Sequence, residues 1–260
     1  MQNSNKLSII IVNYRSEKYL EKCLSSIYGV WGESLEIIIV NNDVNESLAK
    51  IATSFPAVKI IQQGSNVGFG TAHNAGSRLA GGKYLLFLNP DMAVLDSMEK
   101  ILDKFEEDDT VGIIGARLVK LDGQNQAWSA GYEANILSII KNKIKLSERE
   151  MVWNSAQTKE VDWVSGGAMF IRKEIFDKVS GFDENFFMYF EDMDLCKRVR
   201  ALGKKVIYFP SVRIEHVEGG SRENKNKQKK SYYASQDYYF SKHFGSTQAT
   251  LVKLLRKIFV

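Results

Sequence analysis

The chain has 260 residues, 44% hydrophobic and 25% charged, which is enough to bury the core of one large α/β domain without disulfides and too ordinary a mixture for a long disordered protein. Lys and Arg outnumber Asp and Glu by only 35 to 31, a surplus that calls for no nucleic-acid partner, and Cys23 and Cys196 have no metal-like spacing. No run reaches the ~18 to 20 apolar residues of a membrane span, and the opening MQNSNKLSIIIVN lacks the basic start and length of a signal peptide, so a reduced, cytoplasmic protein is expected.

Ser8 to Val12 (SIIIV) reads as a buried strand, followed by a helix whose apolar face carries Leu20, Cys23, Leu24 and Ile27 and stops at Gly29. Glu36 to Val40, Val58 to Gln62 and Lys83 to Leu88 predict three more strands with helical segments between them. Such alternation predicts an α/β fold, a mainly parallel sheet with helices on both faces, and ligands beyond the carboxyl ends of its strands. The first strand runs into Asn13-Tyr14-Arg15-Ser16 with no GxGxxG turn, and no phosphate loop of the GxxxxGK[ST] type occurs, which weighs against dehydrogenases and P-loop enzymes. From about Asn125 to Glu160 periodicity is lost, a stretch expected to shape a second substrate's pocket. Strand patterns return at Val161 to Val164 and Ala168 to Ile171, around Gly166-Gly167, and again at Val206 to Phe209.

Four places could carry chemistry. Asn89-Pro90-Asp91 ends the fourth strand, where a carboxylate has the hardness and position to hold Mg²⁺ or Mn²⁺ against a diphosphate, although the tripeptide is also an ordinary turn. Glu191, Asp192 and Asp194 open a helix whose Leu195, Val199 and Leu202 face the core and whose end is Gly203. Acids in a first turn suit the helix dipole, but the apolar run Phe186 to Phe190 beside them can raise a carboxyl pKa toward that of a general base. His216 follows a strand and can complete a metal site begun by Asp91, or serve structure alone. Asn66 to Gly76 (NVGFGTAHNAG) places glycines at a helix start, where backbone can approach a phosphate or simply turn. At the other end, RENKNKQKK, YYASQDYYFSKHFG and TLVKLLRKIFV interleave basic, aromatic and aliphatic residues as a helix at an anionic membrane surface does, and equally as a packing helix or dimer contact does.

In order, SIIIVNYRS, IIIVNND, NVGFGTAHNAG, YLLFLNPDM, VSGGAMFIRKEIFDKVSGFDENFFMYFEDMDLCKRVRALG and FPSVRIEHVEGGS resemble the family 2 glycosyltransferases, in particular their rhamnosyltransferase-like branch. The resemblance implies a GT-A fold over residues 1–221, with 1–115 mainly binding a nucleotide-sugar and 116–221 holding the acceptor and the base, followed by a helical tail at 222–260. It also implies a divalent metal, Mg²⁺ or Mn²⁺, and inversion at the anomeric carbon. By position Asp91 is similar to the metal carboxylate of a DxD-type motif whose first aspartate is here Asn89. Asp192 resembles the catalytic base with Glu191 second, and His216 the late metal-reaching histidine.

Asn13, Tyr14, Asn41 and Asn42 are expected around the nucleotide base, Asn41 standing where the family often has aspartate. Asn66, Gly68 and Phe69 are expected along the donor, and Trp163, Gly166, Gly167 and Tyr189 along the acceptor. Trp128 and Trp153 are further residues able to stack on sugars. The branch suggests dTDP-L-rhamnose as donor and a surface-polysaccharide precursor, on a polyprenyl diphosphate, as acceptor at the cytoplasmic face of a membrane. A UDP-sugar enzyme and a non-catalytic carbohydrate-binding protein of the same fold are the competing readings, while a nucleotidyltransferase would need an early Gly-rich triphosphate loop. An oligomer is compatible with all of these.

Overall fold

The computed structural model describes residues 6–32, 35–133, 151–217 and 225–259. Its centre is a nine-stranded sheet. The first strands are β1 (Leu7–Asn13), β2 (Glu36–Asn41), β3 (Lys59–Gln62), β4 (Tyr84–Leu88) and β5 (Met92–Val94). They are followed by β6 (Val111–Lys120), β7 (Ala130–Gly131), β8 (Lys159–Val161), β9 (Trp163–Val164), β10 (Ala168–Arg172) and β11 (Lys205–His216). The order across the sheet is β3-β2-β1-β4-β10-β6-β11-β5, with β8 also on β11, while β7 and β9 form a separate pair. β10 runs antiparallel to both β4 and β6, so β1, β2, β3, β4, β6 and β11 all point the same way. Six of the nine strands are therefore codirectional, and their carboxyl ends open on one edge.

The helices are α1 (Glu17–Trp31), α2 (Ala49–Ser54), α3 (Phe69–Ser77), α4 (Glu99–Glu107), α5 (Lys173–Lys178), α6 (Glu191–Ala201), α7 (Lys225–Phe244) and α8 (Ser246–Phe259). Side chains alternate across a strand, so Ile9, Ile11, Ile37 and Ile39 face one core with α1, α2 and α4. Ile10, Val12, Ile38 and Val40 face the other with α3, α5 and α6. Each such buried aliphatic side chain contributes about 1.5 to 3 kcal/mol, which is why β1 and β2 are buried along their whole length. Helix α3 lies close to the sheet because Gly76 has no side chain: a Cβ there would stand 2.5 Å from Ile10 Cγ2.

Leu20, Cys23, Leu24 and Ile27 are buried as their spacing predicts, but α1 continues through Gly29 and ends at Gly32, whose φ of 80° closes the helix. Gly29 tolerates helix geometry at modest cost, so a glycine alone does not mark the end. Val161 to Val164 is split between two sheets, and Leu202 is 39% exposed at the end of α6 rather than in the core. Strand β11 changes register against β6 between Phe209 and Arg213, where Pro210 has no N–H to give the ladder. Its first half takes β8 and its second half β5. The two C-terminal helices pack on each other and on Phe186 through Tyr239, Phe240, Ala249 and Val252.

Candidate active site

Strand β4 ends in Asn89-Pro90-Asp91, and β5 begins at Met92, directly opposite His216 of β11. That pairing carries Asp91 to His216 across 125 residues of sequence, with His216 Nε2 3.2 Å from Asp91 Oδ2. The Val217 N–H donates to the Asp91 carbonyl at 2.8 Å, fixing the turn. Asp91 Oδ1 is buried without a hydrogen-bond partner. On the far side of the ring, His216 Nδ1 lies 2.8 Å from Gln126 Oε1. A buried carboxylate oxygen with nothing to accept from, beside an imidazole nitrogen, suits a hard divalent cation. Among the described residues no third His, Cys, Asp or Glu joins them, so substrate oxygens and water would complete the shell, the usual pattern for Mg²⁺-type sites.

The two acids at the start of α6 are presented by a strained turn. Tyr189 and Phe190 both adopt left-handed φ angles, 71° and 67°, which bulky residues hold only when surroundings impose them. Asp192 Oδ2 accepts the Gly166 N–H at 3.0 Å and Oδ1 the Met193 N–H at 2.8 Å. Burial raises the pKa of both Glu191 and Asp192. Glu191 is pushed well above the usual carboxylate range, where the Asp192 charge adds to burial and Oε2 has no partner. The backbone N–H groups on Asp192 oppose its shift. Glu191 is therefore the more readily protonated of the pair and Asp192 the one better able to keep its charge. Asp194, the third acid, is buried and engaged otherwise: it accepts from His243 Nε2, Lys242 Nζ and Arg198 Nε at 2.6 to 2.7 Å. It thus clamps α7 to α6.

The glycine-rich turn before α3 reaches the same place. The Phe69 N–H donates to the Phe187 carbonyl at 3.0 Å, and the Asn74 side chain bonds both the N–H and the carbonyl of Phe182 at 2.9 Å. These contacts seat α3 on the loop that leads to Glu191. His73 is not turned to that surface; it is buried among Phe69, Phe87 and Phe182, and burial pushes its pKa down to about 3.

The result is one cavity of about 950 Å³ at the carboxyl edge of the sheet, the position at which open α/β sheets bind ligands. Tyr14, Asn42, Asn66, Gly68 and Phe69 line it. Asn89 and Asp91 line it as well, as do Glu191 and Asp192, with Phe69 and Asp192 both packed against Gly166. Trp163, Gly166, Gly167 and Tyr189 also border it. Asn13 and Asn41 do not: both are fully buried. Asn41 bonds Asn13, the Glu46 carbonyl and Gln62 at 2.8 to 2.9 Å, so its amide is saturated by protein. Trp128 reaches the cavity with 64% of its surface exposed, whereas Trp153 stands behind it, ring to ring at 5.2 Å. Gln126 and three residues of α7, Tyr232, Gln236 and Phe240, line the cavity without having been singled out in the sequence. No motif marks them.

Residues 8–180 match the family described as Glycosyl transferase family 2, and residues 156–219 match a shorter one described as N-terminal domain of galactosyltransferase. The N-acetylglucosaminyl-diphospho-decaprenol L-rhamnosyltransferase of Mycobacterium tuberculosis is 25% identical over 83% of this chain and 77% of its own. Rhamnosyltransferase WbbL of Escherichia coli K12 is 28% identical over 80% and 82%, and the dTDP-rhamnosyl transferase RfbF of Shigella flexneri 25% over 84% and 70%. Among solved structures, GalNAc-T7 with UDP, GalNAc and Mn²⁺ superposes with a TM-score of 0.65 at 16% identity, over 93% of this chain and 51% of that one. Staphylococcus aureus TarS with UDP gives 0.60 at 14%, over 91% and 72%. The sheet order, the codirectional strand ends and the matched span agree: the chain belongs to glycosyl transferase family 2 and is a glycosyltransferase of GT-A fold.

Proposed function

We propose that this glycosyltransferase moves L-rhamnose from dTDP-L-rhamnose to a hydroxyl of a saccharide carried on a polyprenyl diphosphate, with inversion at the anomeric carbon. The observation that carries the reading is a single cavity lined by both Asp91 and the Glu191–Asp192 pair. The named activities of the rhamnosyltransferase relatives support the donor, and that of the mycobacterial protein supports the lipid-linked acceptor.

Asp192 takes the proton of the acceptor hydroxyl, that oxygen forms its bond to the anomeric carbon, and the bond to the diphosphate breaks on the opposite face. Glu191, kept neutral by burial, adds no second charge beside the base. Asp91 and His216 would hold Mg²⁺ or Mn²⁺ with the diphosphate, and a bound divalent cation there neutralises charge developing on the leaving group. Tyr14 and Asn42 face the nucleoside, and Asn66, Gly68, Phe69 and Asn89 border the diphosphate and donor sugar. Trp163, Gly166, Gly167 and Tyr189 receive the acceptor. On α8, Leu251 and Leu254 are 42% and 51% exposed next to Lys253 and Lys257, a face suited to an anionic membrane surface near a lipid-linked acceptor. No helix among the described residues is long and apolar enough to cross a membrane.

The test is donor hydrolysis across dTDP-, UDP- and GDP-sugars with Mg²⁺ or Mn²⁺, in the native chain, Asp91→Ala and Asp192→Asn. Metal-dependent hydrolysis of dTDP-L-rhamnose is expected, reduced about 10²- to 10⁴-fold in Asp192→Asn. Turnover of a UDP-sugar alone replaces the donor, and absence of nucleotide binding by calorimetry refutes catalysis in favour of a binding protein.

A further inference from the structure

Gln126 is placed with some care by the backbone around it. After β6 the chain turns at Gly123, whose φ is 79°; the Gly123 N–H donates to the Lys120 carbonyl and the Lys120 N–H to the Gln124 carbonyl, both at 2.8 Å. The Gln126 N–H then returns to the Leu118 carbonyl at 2.8 Å. Lys120 is the register partner of His216 on the neighbouring strand, so folding back along β6 brings residue 126 over the imidazole.

The contact it makes there has a definite polarity. An amide oxygen only accepts, so with Gln126 Oε1 2.8 Å from Nδ1 that nitrogen carries the hydrogen. The lone pair of a neutral ring is then on Nε2, which points at Asp91 Oδ2 from 3.2 Å. Two lone pairs facing each other at that distance repel, unless a positive charge lies against both. Asp91 Oδ1 beside them is buried and also has nothing to accept from. Nε2 and the two Asp91 carboxylate oxygens are therefore three lone-pair atoms side by side, and the one that depends on a tautomer is held by Gln126.

We infer that Gln126 is the positioning residue of the cation site: its amide oxygen holds His216 as the Nδ1–H tautomer and so presents Nε2, together with Asp91, to a divalent cation. The inference rests on the metal-assisted reading above. Histidine ligands commonly donate their other ring N–H to such an acceptor, and removing it weakens metal binding about 10- to 100-fold. Gln126 contributes no ligand atom and acts through His216.

The experiment measures the affinity of dTDP and of UDP by calorimetry, with and without Mn²⁺, for the native chain, Gln126→Leu and Gln126→Glu. Native protein is expected to bind the favoured nucleotide more tightly with Mn²⁺. Gln126→Leu loses about 10- to 100-fold of that gain, read within each variant as the ratio of affinities with and without Mn²⁺, and Gln126→Glu, still an acceptor, retains it. The chain has three histidines, His73, His216 and His243, so ring ¹⁵N spectra at about pH 8, above the ordinary imidazole range, can be assigned. His216 appears as Nδ1–H in the native chain and shifts toward Nε2–H in Gln126→Leu. A full Mn²⁺ gain in Gln126→Leu, or an Nε2–H ring in the native chain, overturns the inference and leaves the metal reading standing. No Mn²⁺ gain in the native chain with either nucleotide overturns both.

Discussion

Replacing Gly68 by alanine tests whether the glycine-rich turn and the acid-bearing loop form one rigid unit. Gly68 has φ 91° and ψ 170°, a region that is essentially glycine's alone and costs any other residue about 1 to 3 kcal/mol. A Cβ built there stands 2.6 Å from the Phe187 carbonyl oxygen and 3.1 Å from Phe187 Cα, both backbone atoms that cannot swing aside, which adds an overpacking cost of about 1 to 3 kcal/mol. The sum is about 2 to 6 kcal/mol against a total stability of about 5 to 15 kcal/mol.

Part of the strain can be relieved only by moving the turn away. That breaks the bond from the Phe69 N–H to the same oxygen and widens the cavity between Gly68 and Tyr189. Urea unfolding should therefore show a midpoint shift equivalent to at least about 2 kcal/mol, with weakened nucleotide binding in calorimetry. Gly64→Ala is the control: a Cβ there meets nothing within 4 Å and its φ is not positive, so its effect stays within about 1 kcal/mol. If Gly68→Ala unfolds at the same urea concentration as Gly64→Ala and binds nucleotide like the native chain, the two loops are not coupled as described.

Glu191→Gln is expected to stabilise the protein, and more so as pH rises. Its carboxyl pKa is raised in the fold above an unfolded value of about 4.3, so the ionisation cost is absent below about pH 4 and grows above it. Urea midpoints at about pH 4.5 and 8 should show a larger gain at the higher value, and equal gains refute the assignment of Glu191 as the neutral acid. Asp194→Ala leaves Arg198, Lys242 and His243 facing an empty site, a loss of about 3 to 5 kcal/mol by analogy with broken buried ion pairs, read by thermal unfolding and by new protease cleavage in α7. The Asp194 pKa is lowered in the fold, so its contribution is complete above about pH 4 and disappears as pH falls further through the folded value. A loss below about 1 kcal/mol would mean the clamp is only a surface-like pairing.

Much of the scaffold is local information. The β-branched runs of β1 and β2, the helical spacing of Leu20, Cys23, Leu24 and Ile27, and the acidic first turn of α6 each follow from contacts within one or two turns of chain. Because ligands of such sheets sit at strand ends, Asp91 after β4 was legible as a candidate site residue, as were Glu191 and Asp192 after an apolar run, and all three line the cavity. The family motifs carried the fold further than periodicity alone, since β6 and β5 have no distinctive pattern and β10 enters antiparallel between β4 and β6.

What the tertiary structure decided is where polar side chains spend their hydrogen bonds. An asparagine after a strand has the same donors and acceptors whether it meets a ligand or the protein. The inward amides of Asn13 and Asn41, bonded to each other and to Glu46 and Gln62, could not be told in sequence from Asn42, which borders the cavity. Gln126 meets His216 across 90 residues, and Tyr232 of α7 reaches Phe190 at 5.2 Å between ring centres. Such pairings depend on which strands align and which helix covers them, a choice made by burial over the whole chain rather than by any neighbouring residue.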